Sequence, residues 1–328
     1  METITSIPDL YCPYPSRMSP HVEEVAAATD AWMKRFALFP NEQAFEEFSN
    51  YKMAWMTCRT IPDGDLPLLI TINNFYSWLF VLDEQLDHIS PETAAIRDKN
   101  FLQNFISGFV KILRNDHFVS VAEGGNVLAA FSDIWQNLIP ASRATWQCQF
   151  TISLKATFEA AIWEAANATS KTPPTVKQYM RMRPYFSGAN LGTDINELAV
   201  GSSLPVYVLQ DQDFVRIVDL CRRVVCWAND IFSLAKELAH GDNHNLVMVL
   251  KHNEDLTMEK ALNEAARIHD YEMHQIEQLR RKLPDFGTQL NKDVKVYLDG
   301  LETMVSGFFW WSLEDTPRYM SHLQEKVV

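Results

Sequence analysis

The chain has 328 residues, 47% of them hydrophobic, and a formal net charge of -13. So apolar a composition supplies a large core and excludes a disordered or collagen-like chain. The negative balance argues against nucleic acid or an anionic membrane surface as partner, so an anionic substrate would need local cations such as bound metal.

Residues 1–18, with Pro8, Pro13 and Pro15, are predicted to be irregular. A helix is predicted from Ser19-Pro20, an N-cap followed by proline at the first helical position, with Val22, Val25, Ala26, Trp32, Met33 and Phe36 on one face. Thr29 is the polar member of that stripe. A second helix is predicted from Asn41 to about Cys58, then a turn at Pro62-Asp63-Gly64-Asp65. The segment after Pro67, LLITINNFYSWLFVLDEQLDH, is apolar nearly all round and reads as a buried central helix. Further helices are predicted over 93–114, 121–137, 140–167, 175–200, 211–238, 257–281 and 290–313, with breaks at Gly124-Gly125, Pro140, Pro173-Pro174, Gly241 and Pro284.

No strand alternation, hairpin signal, repeat or long linker interrupts this series. The expected architecture is one all-α domain over residues 19–328, built round two very apolar helices. Cys12, Cys58, Cys148, Cys221 and Cys226 lack CxxC or zinc-like spacing and read as core thiols in a reducing compartment. The N-terminus lacks the charged and apolar pattern of a secretory signal, and no window holds 18 uninterrupted apolar residues. A cytoplasmic protein without a membrane span is therefore expected, as monomer or homodimer.

Two groups of polar residues stand out. Asn229, Ser233 and Glu237 follow one another at intervals of four, so they form a column on one helix face, with Lys236 beside it and Asp230 behind Asn229. An amide carbonyl, a hydroxyl and a carboxylate are hard oxygen donors of the kind Mg²⁺ accepts. A solvated polar face would explain the spacing equally well, but Phe214 to Ala228 ahead of the column is largely apolar. The second group ends the central helix: Asp83 and Asp87 share a face, with Glu84 flanking. Like charges one turn apart at a helix C-terminus are unfavourable unless a cation sits between them. If the two helices lie side by side and parallel, both groups meet at one mouth and could hold a cluster of Mg²⁺ ions suited to a diphosphate.

At this point the chain resembles the class I terpene synthases of the microbial type. Asn229-Asp230-Ile231-Phe232-Ser233-Leu234-Ala235-Lys236-Glu237 matches the family's (N,D)DxxSxxKE triad, and His240 to Val247 resembles the loop that follows it. The aspartate-rich DDxxD motif departs once, with Glu84 in place of the second aspartate, so Asp83 is the principal ligand expected there. Arg183, 46 residues before Asn229, matches the diphosphate-sensing arginine, and Arg318-Tyr319 matches the family's RY pair. Around Arg183 the usual RRxTxG reads RMRPYFSG, so the effector residue is Ser187 or Gly188.

The resemblance implies metal ligation by Asp83, Asp87, Asn229, Ser233 and Glu237, with three Mg²⁺ per site. It implies diphosphate binding by Arg183, Lys236, Arg318 and Tyr319. The reaction implied is ionisation and cyclisation of farnesyl or geranylgeranyl diphosphate. Phe75, Tyr76, Leu79 and Trp311 are candidate walls of an apolar cavity, where aromatic faces would stabilise a cation. The alternatives fit less well. An isoprenyl diphosphate synthase needs a second aspartate-rich motif. A di-iron bundle needs a second ExxH beside Glu237-Leu238-Ala239-His240. A non-catalytic scaffold leaves the polar column unexplained. Protonation-initiated cyclisation needs DxDD, which Asp63-Gly64-Asp65-Leu66 is not.

Overall fold

The computed structural model describes residues 7–87, 99–115, 117–168, 173–241 and 243–319, with backbone alone at 83–87, 99–105, 115, 168 and 240. Among the described residues there is no strand, and residues 7–20 are irregular apart from a bend and the start of a turn. The helices are α1 (Val22–Arg35), α2 (Glu42–Ser49), α3 (Met53–Thr60), α4 (Leu66–Asp87), α5 (Lys99–Asn115), α6 (Val121–Ala141) and α7 (Ala144–Ala168). They continue with α8 (Val176–Phe186), α9 (Ala189–Ala199), α10 (Val206–Leu209), α11 (Gln212–His240), α12 (Leu246–Asn253), α13 (Met258–Lys282) and α14 (Thr288–Trp310), which runs into a π-turn at Trp311–Asp315.

Several boundaries differ from the expected ones, each for a local reason. The first helix starts after His21 rather than at Ser19, whose amide donates to the Cys58 carbonyl (3.0 Å) and ties the segment ahead of the helix to α3. Asn41 does cap its helix, its side chain accepting from the Ala44 amide at 2.9 Å. That helix does not reach Cys58: Lys52 takes a left-handed conformation (φ 56°) and divides it into α2 and α3. The predicted 175–200 helix is likewise divided at Gly188 (φ 75°), where glycine carries no steric penalty. Gly125 (φ 76°) kinks α6, whereas Pro140 lies inside its last turn instead of ending it. Helices α10 and α12 were not expected. The second forms because the Asn245 side chain accepts from the Val247 amide at 2.9 Å and caps it.

Helix α4 is central: Leu69, Ile72, Phe75 and Trp78 are fully buried, and Phe75 and Trp78 stack among Phe109, Phe131 and Phe150. Its buried amides are satisfied across helices. Thr57 donates to Asn73 (2.8 Å), Asn73 donates to Thr29 (2.9 Å), and Thr29 donates to Asn74 (2.8 Å). Thr29 thus belongs to the apolar stripe of α1 because it has a buried partner. Helix α11 packs along α13 and against α9 and α14. α4 and α11 do not pack closely backbone to backbone; their buried side chains belong to one core cluster, in which Phe232 of α11 packs edge-on against Phe309 of α14. All five cysteines are free thiols, and no described helix is long and apolar enough to cross a membrane.

α14 packs on α3 at Gly307. A Cβ there would lie 2.5 Å from the Thr60 amide nitrogen and 2.7 Å from the Arg59 carbonyl carbon, both rigid backbone atoms. Gly307→Ala should therefore lower unfolding stability by about 1–3 kcal/mol through overpacking. Urea denaturation checks this, and an unchanged midpoint would contradict the close approach.

Candidate active site

The predicted column on α11 is present as spaced. Ser233 is buried and donates to Glu237 Oε1 at 2.6 Å. Glu237 Oε2 accepts from Asn245 at 2.7 Å, and the same Asn245 amide donates to the Asp230 carbonyl at 2.6 Å. Burial, reinforced by the nearby charge of Asp230, pushes the Glu237 carboxyl up to about 7. Lys236 lies half-buried beside the column.

Asn229 and Asp230 are adjacent on the helix, so they project about 100° apart. Asp230 points inward and is fully buried. It accepts from Arg183 Nε (2.8 Å), from the Tyr179 hydroxyl (2.7 Å) and from the Leu246 amide (2.9 Å). These contacts join α8, α11 and α12 at one carboxylate. They also aim the guanidinium: Arg183 Nη2 donates to Asn229 Oδ1 at 2.8 Å. Arg183 is itself buried, which works against its charge, but Asp230 outweighs that and holds it protonated.

The C-terminal segment closes on the same amide. Asn229 Nδ2 donates to the Tyr319 hydroxyl at 2.9 Å, so Arg183 and Tyr319 meet at Asn229. Arg318 lies over the rings of Tyr51 (4.4 Å) and Phe80 (5.6 Å). Trp311 packs edge-on against Phe80 and Tyr319. The last third of α4 and the middle of α11 are thereby brought to one mouth. Asp83 and Asp87 stand in the final turns of α4, and their side chains, with that of Glu84, lie outside the described residues.

The cavity candidates take different places. Tyr76 and Leu79 are on the face of α4 that carries position 83, Tyr76 against Phe308 of α14 and Leu79 against Gly188, whose Cβ would meet Leu79 Cδ2 at 2.8 Å. Phe75 is about 80° round the helix and sits in the aromatic stack of the core. At the α8–α9 break the Gly188 carbonyl accepts from the Leu191 (3.0 Å) and Gly192 (3.1 Å) amides, and the Ser187 hydroxyl accepts from the Ala189 amide at 3.2 Å. Sequence reasoning missed the roles of Tyr179, Asp230 and Asn245. Asp230 and Asn245 stood inside the stretches already singled out, but which helix faces them is not a local property.

The donor set suits a hard divalent cation. A half-buried carboxylate with a raised pKa, a hydroxyl and an amide oxygen lie one helical turn apart, and a dication would offset the cost of burying the carboxylate's charge. Residues 74–275 match the family described as terpene synthase family 2, C-terminal metal binding. Germacrene A synthase of Nostoc punctiforme is 26% identical over 321 residues, covering 98% of this chain and 96% of that protein. (+)-T-muurolol synthase of Roseiflexus castenholzii, which cyclises (2E,6E)-farnesyl diphosphate, is 27% identical over 97% of this chain and 96% of that protein. The crystal structure of α-eudesmol synthase superposes with a TM-score of 0.80 at 20% identity, covering 93% of this chain and 99% of that one, which shows the shared fold.

Removing one partner of a buried ion pair leaves the other charge uncompensated. Asp230→Asn should therefore destabilise the fold by about 3–5 kcal/mol. Tyr179→Phe should cost only about 1 kcal/mol. Chemical denaturation of both variants tests the ranking, and equal midpoints would remove Asp230 from its central place.

Proposed function

The chain belongs to terpene synthase family 2, the enzymes that cyclise isoprenyl diphosphates, and on that premise we propose that it converts farnesyl diphosphate to a cyclic sesquiterpene hydrocarbon or alcohol with release of diphosphate. The observation that carries this reading is the meeting of Arg183, Asn229 and Tyr319 at a single amide. The choice of the C15 substrate over geranylgeranyl diphosphate rests on the Roseiflexus castenholzii relative, which acts on farnesyl diphosphate.

Asn229, Ser233 and Glu237 would hold Mg²⁺ from one side and Asp83, with Asp87, from the other, three ions in all. When bound, the metal supplies Lewis-acid stabilisation of the charge that develops on the departing diphosphate. Arg183, whose Nε and Nη2 are turned to Asp230 and Asn229, would donate to diphosphate oxygens from Nη1, with Tyr179 fixing the Asp230 carboxylate behind it. Lys236, Arg318 and Tyr319 would complete the donor shell. Of the two effector candidates, Ser187 fits better, because the Gly188 carbonyl already accepts two backbone amides. Tyr76, Leu79, Gly188 and Trp311 would shape the apolar cavity, with Phe75 supporting it from the core. Each aromatic face toward the cation contributes roughly 0.5–2 kcal/mol. Exclusion of water is the other requirement, since an exposed carbocation is captured as an alcohol.

Purified protein with Mg²⁺ and each of geranyl, farnesyl and geranylgeranyl diphosphate, read by gas chromatography–mass spectrometry, should give a cyclic C15 product, and EDTA should abolish it. A lengthened diphosphate formed with isopentenyl diphosphate would instead establish a chain-elongating transferase. Asn229→Ala, Ser233→Ala and Glu237→Ala should each lower kcat by about 100-fold or more while the protein stays folded. Arg318→Ala should shift residual turnover toward hydroxylated and acyclic products; a slower enzyme with an unchanged product mixture would count against its place at the mouth.

A further inference from the structure

Arg59, at the end of α3, takes no part in the site described above, yet its side chain is only 10% exposed. Its Nε donates to Asp315 Oδ2 at 2.5 Å and its Nη2 to Asp315 Oδ1 at 3.1 Å, a two-pronged pairing with a carboxylate that is itself only 12% exposed. Nη2 also reaches Glu314 at 3.0 Å, and Nη1 donates to the Ser16 hydroxyl of the N-terminal segment. One guanidinium thus ties α3 to both ends of the chain.

The carboxylates it holds lie within the π-turn Trp311–Asp315, which the Thr316 amide closes on the Trp311 carbonyl at 3.1 Å. Arg318 and Tyr319 follow directly. The other end of the same turn is held by the other end of α3. The Trp311 indole donates to the Tyr51 and Lys52 carbonyls (2.9 and 3.0 Å) at the left-handed break that precedes that helix. The Tyr51 ring in turn lies under Arg318. A short, irregular segment is therefore gripped at both ends by one rigid helix, and its last described residue must place a hydroxyl 2.9 Å from Asn229. A buried ion pair is a poor device for stability alone, since apolar residues of similar volume serve as well or better. Its distinctive property is directional: the planar fork admits one arrangement of the carboxylate. Displacing the segment by about 1 Å would break the Tyr319–Asn229 bond and misplace the Arg318 charge.

We propose that Arg59 is a positioning residue for the cyclisation: by clamping Asp315 and Glu314 it sets the place of Arg318 and Tyr319 over Asn229. The proposal rests on the reading of Arg318 and Tyr319 as diphosphate donors.

The test compares full-length wild type with Arg59→Gln, Asp315→Asn, Arg318→Ala and the double variant Arg59→Gln/Arg318→Ala. Binding of inorganic diphosphate in the presence of Mg²⁺ is measured by calorimetry, and products from farnesyl diphosphate by mass spectrometry, with circular dichroism to establish folding. Arg59→Gln and Asp315→Asn should each weaken diphosphate about tenfold, and in the Arg318→Ala background Arg59→Gln should add less than about twofold. Both single variants should also raise the share of hydroxylated and acyclic products, which a change in the amount of folded enzyme cannot do. Should Arg59→Gln not fold, Asp315→Asn, which is isosteric and leaves Glu314 in place, carries the same test. A folded variant with wild-type diphosphate affinity and products overturns the proposal, as does an additive double variant. If Arg318→Ala itself binds diphosphate like wild type, the reading of Arg318 as a donor fails first and takes the proposal with it, so the two failures are told apart.

Discussion

The site depends on one buried carboxylate. Asp230 has no exposure to solvent and accepts three hydrogen bonds, from a guanidinium and a phenol of α8 and from the first backbone amide of α12. An unpaired charge in that position would be untenable. Satisfying it requires α8, α11 and the start of α12 to converge, and convergence delivers Arg183 to Asn229. The energetic need to pair a buried charge is what aims the guanidinium at Asn229, and the proposed role of Arg183 as a diphosphate donor would use the same contacts. Because Asp230 and Asn229 are neighbours on α11, the inward residue anchors while the next one presents its amide to the mouth.

A second constraint is the division of the predicted 175–200 helix. Gly188 adopts φ 75° and has Leu79 where a Cβ would be, so both its conformation and its contact favour glycine. The break frees backbone carbonyls from the helical ladder at the point where α8 and α9 approach α4. The division of the helix predicted from Asn41 works similarly at a distance from the cavity. The Tyr51 and Lys52 carbonyls, left over at the left-handed Lys52, accept the Trp311 indole and so anchor the C-terminal segment.

Much of this could be read before any coordinates. The fourfold spacing of Asn229, Ser233 and Glu237 is a helix-local property, so their common face followed from the period alone, and the Ser233–Glu237 bond realises it. The apolar run of α4 announced a central helix for the same reason. How α4 and α11 lie relative to one another is not encoded in either period: their buried side chains belong to one core cluster although their backbones do not pack closely. The break expected at Gly124-Gly125 is present as the kink at Gly125, but the break at Lys52 was illegible, since lysine carries no turn signal and takes its left-handed conformation here between two packed helices.

What the sequence by itself determined was the chemistry and order of its parts: oxygen donors at helical spacing, an arginine 46 residues ahead of Asn229, a C-terminal Arg-Tyr pair and an all-α frame to carry them. These are statements about neighbours along the chain, where propensity and period act over a turn or two. Only the tertiary structure decided that Arg183 and Tyr179 are both held by Asp230, that Asn245 reaches back to Glu237, that Tyr319 meets Asn229 across 90 residues, and that Arg59 grips Asp315 across 256. The reason is desolvation. A buried charge or amide must find whichever partner packing brings within hydrogen-bond distance, and that choice is made by the whole core together, not by the residues on either side.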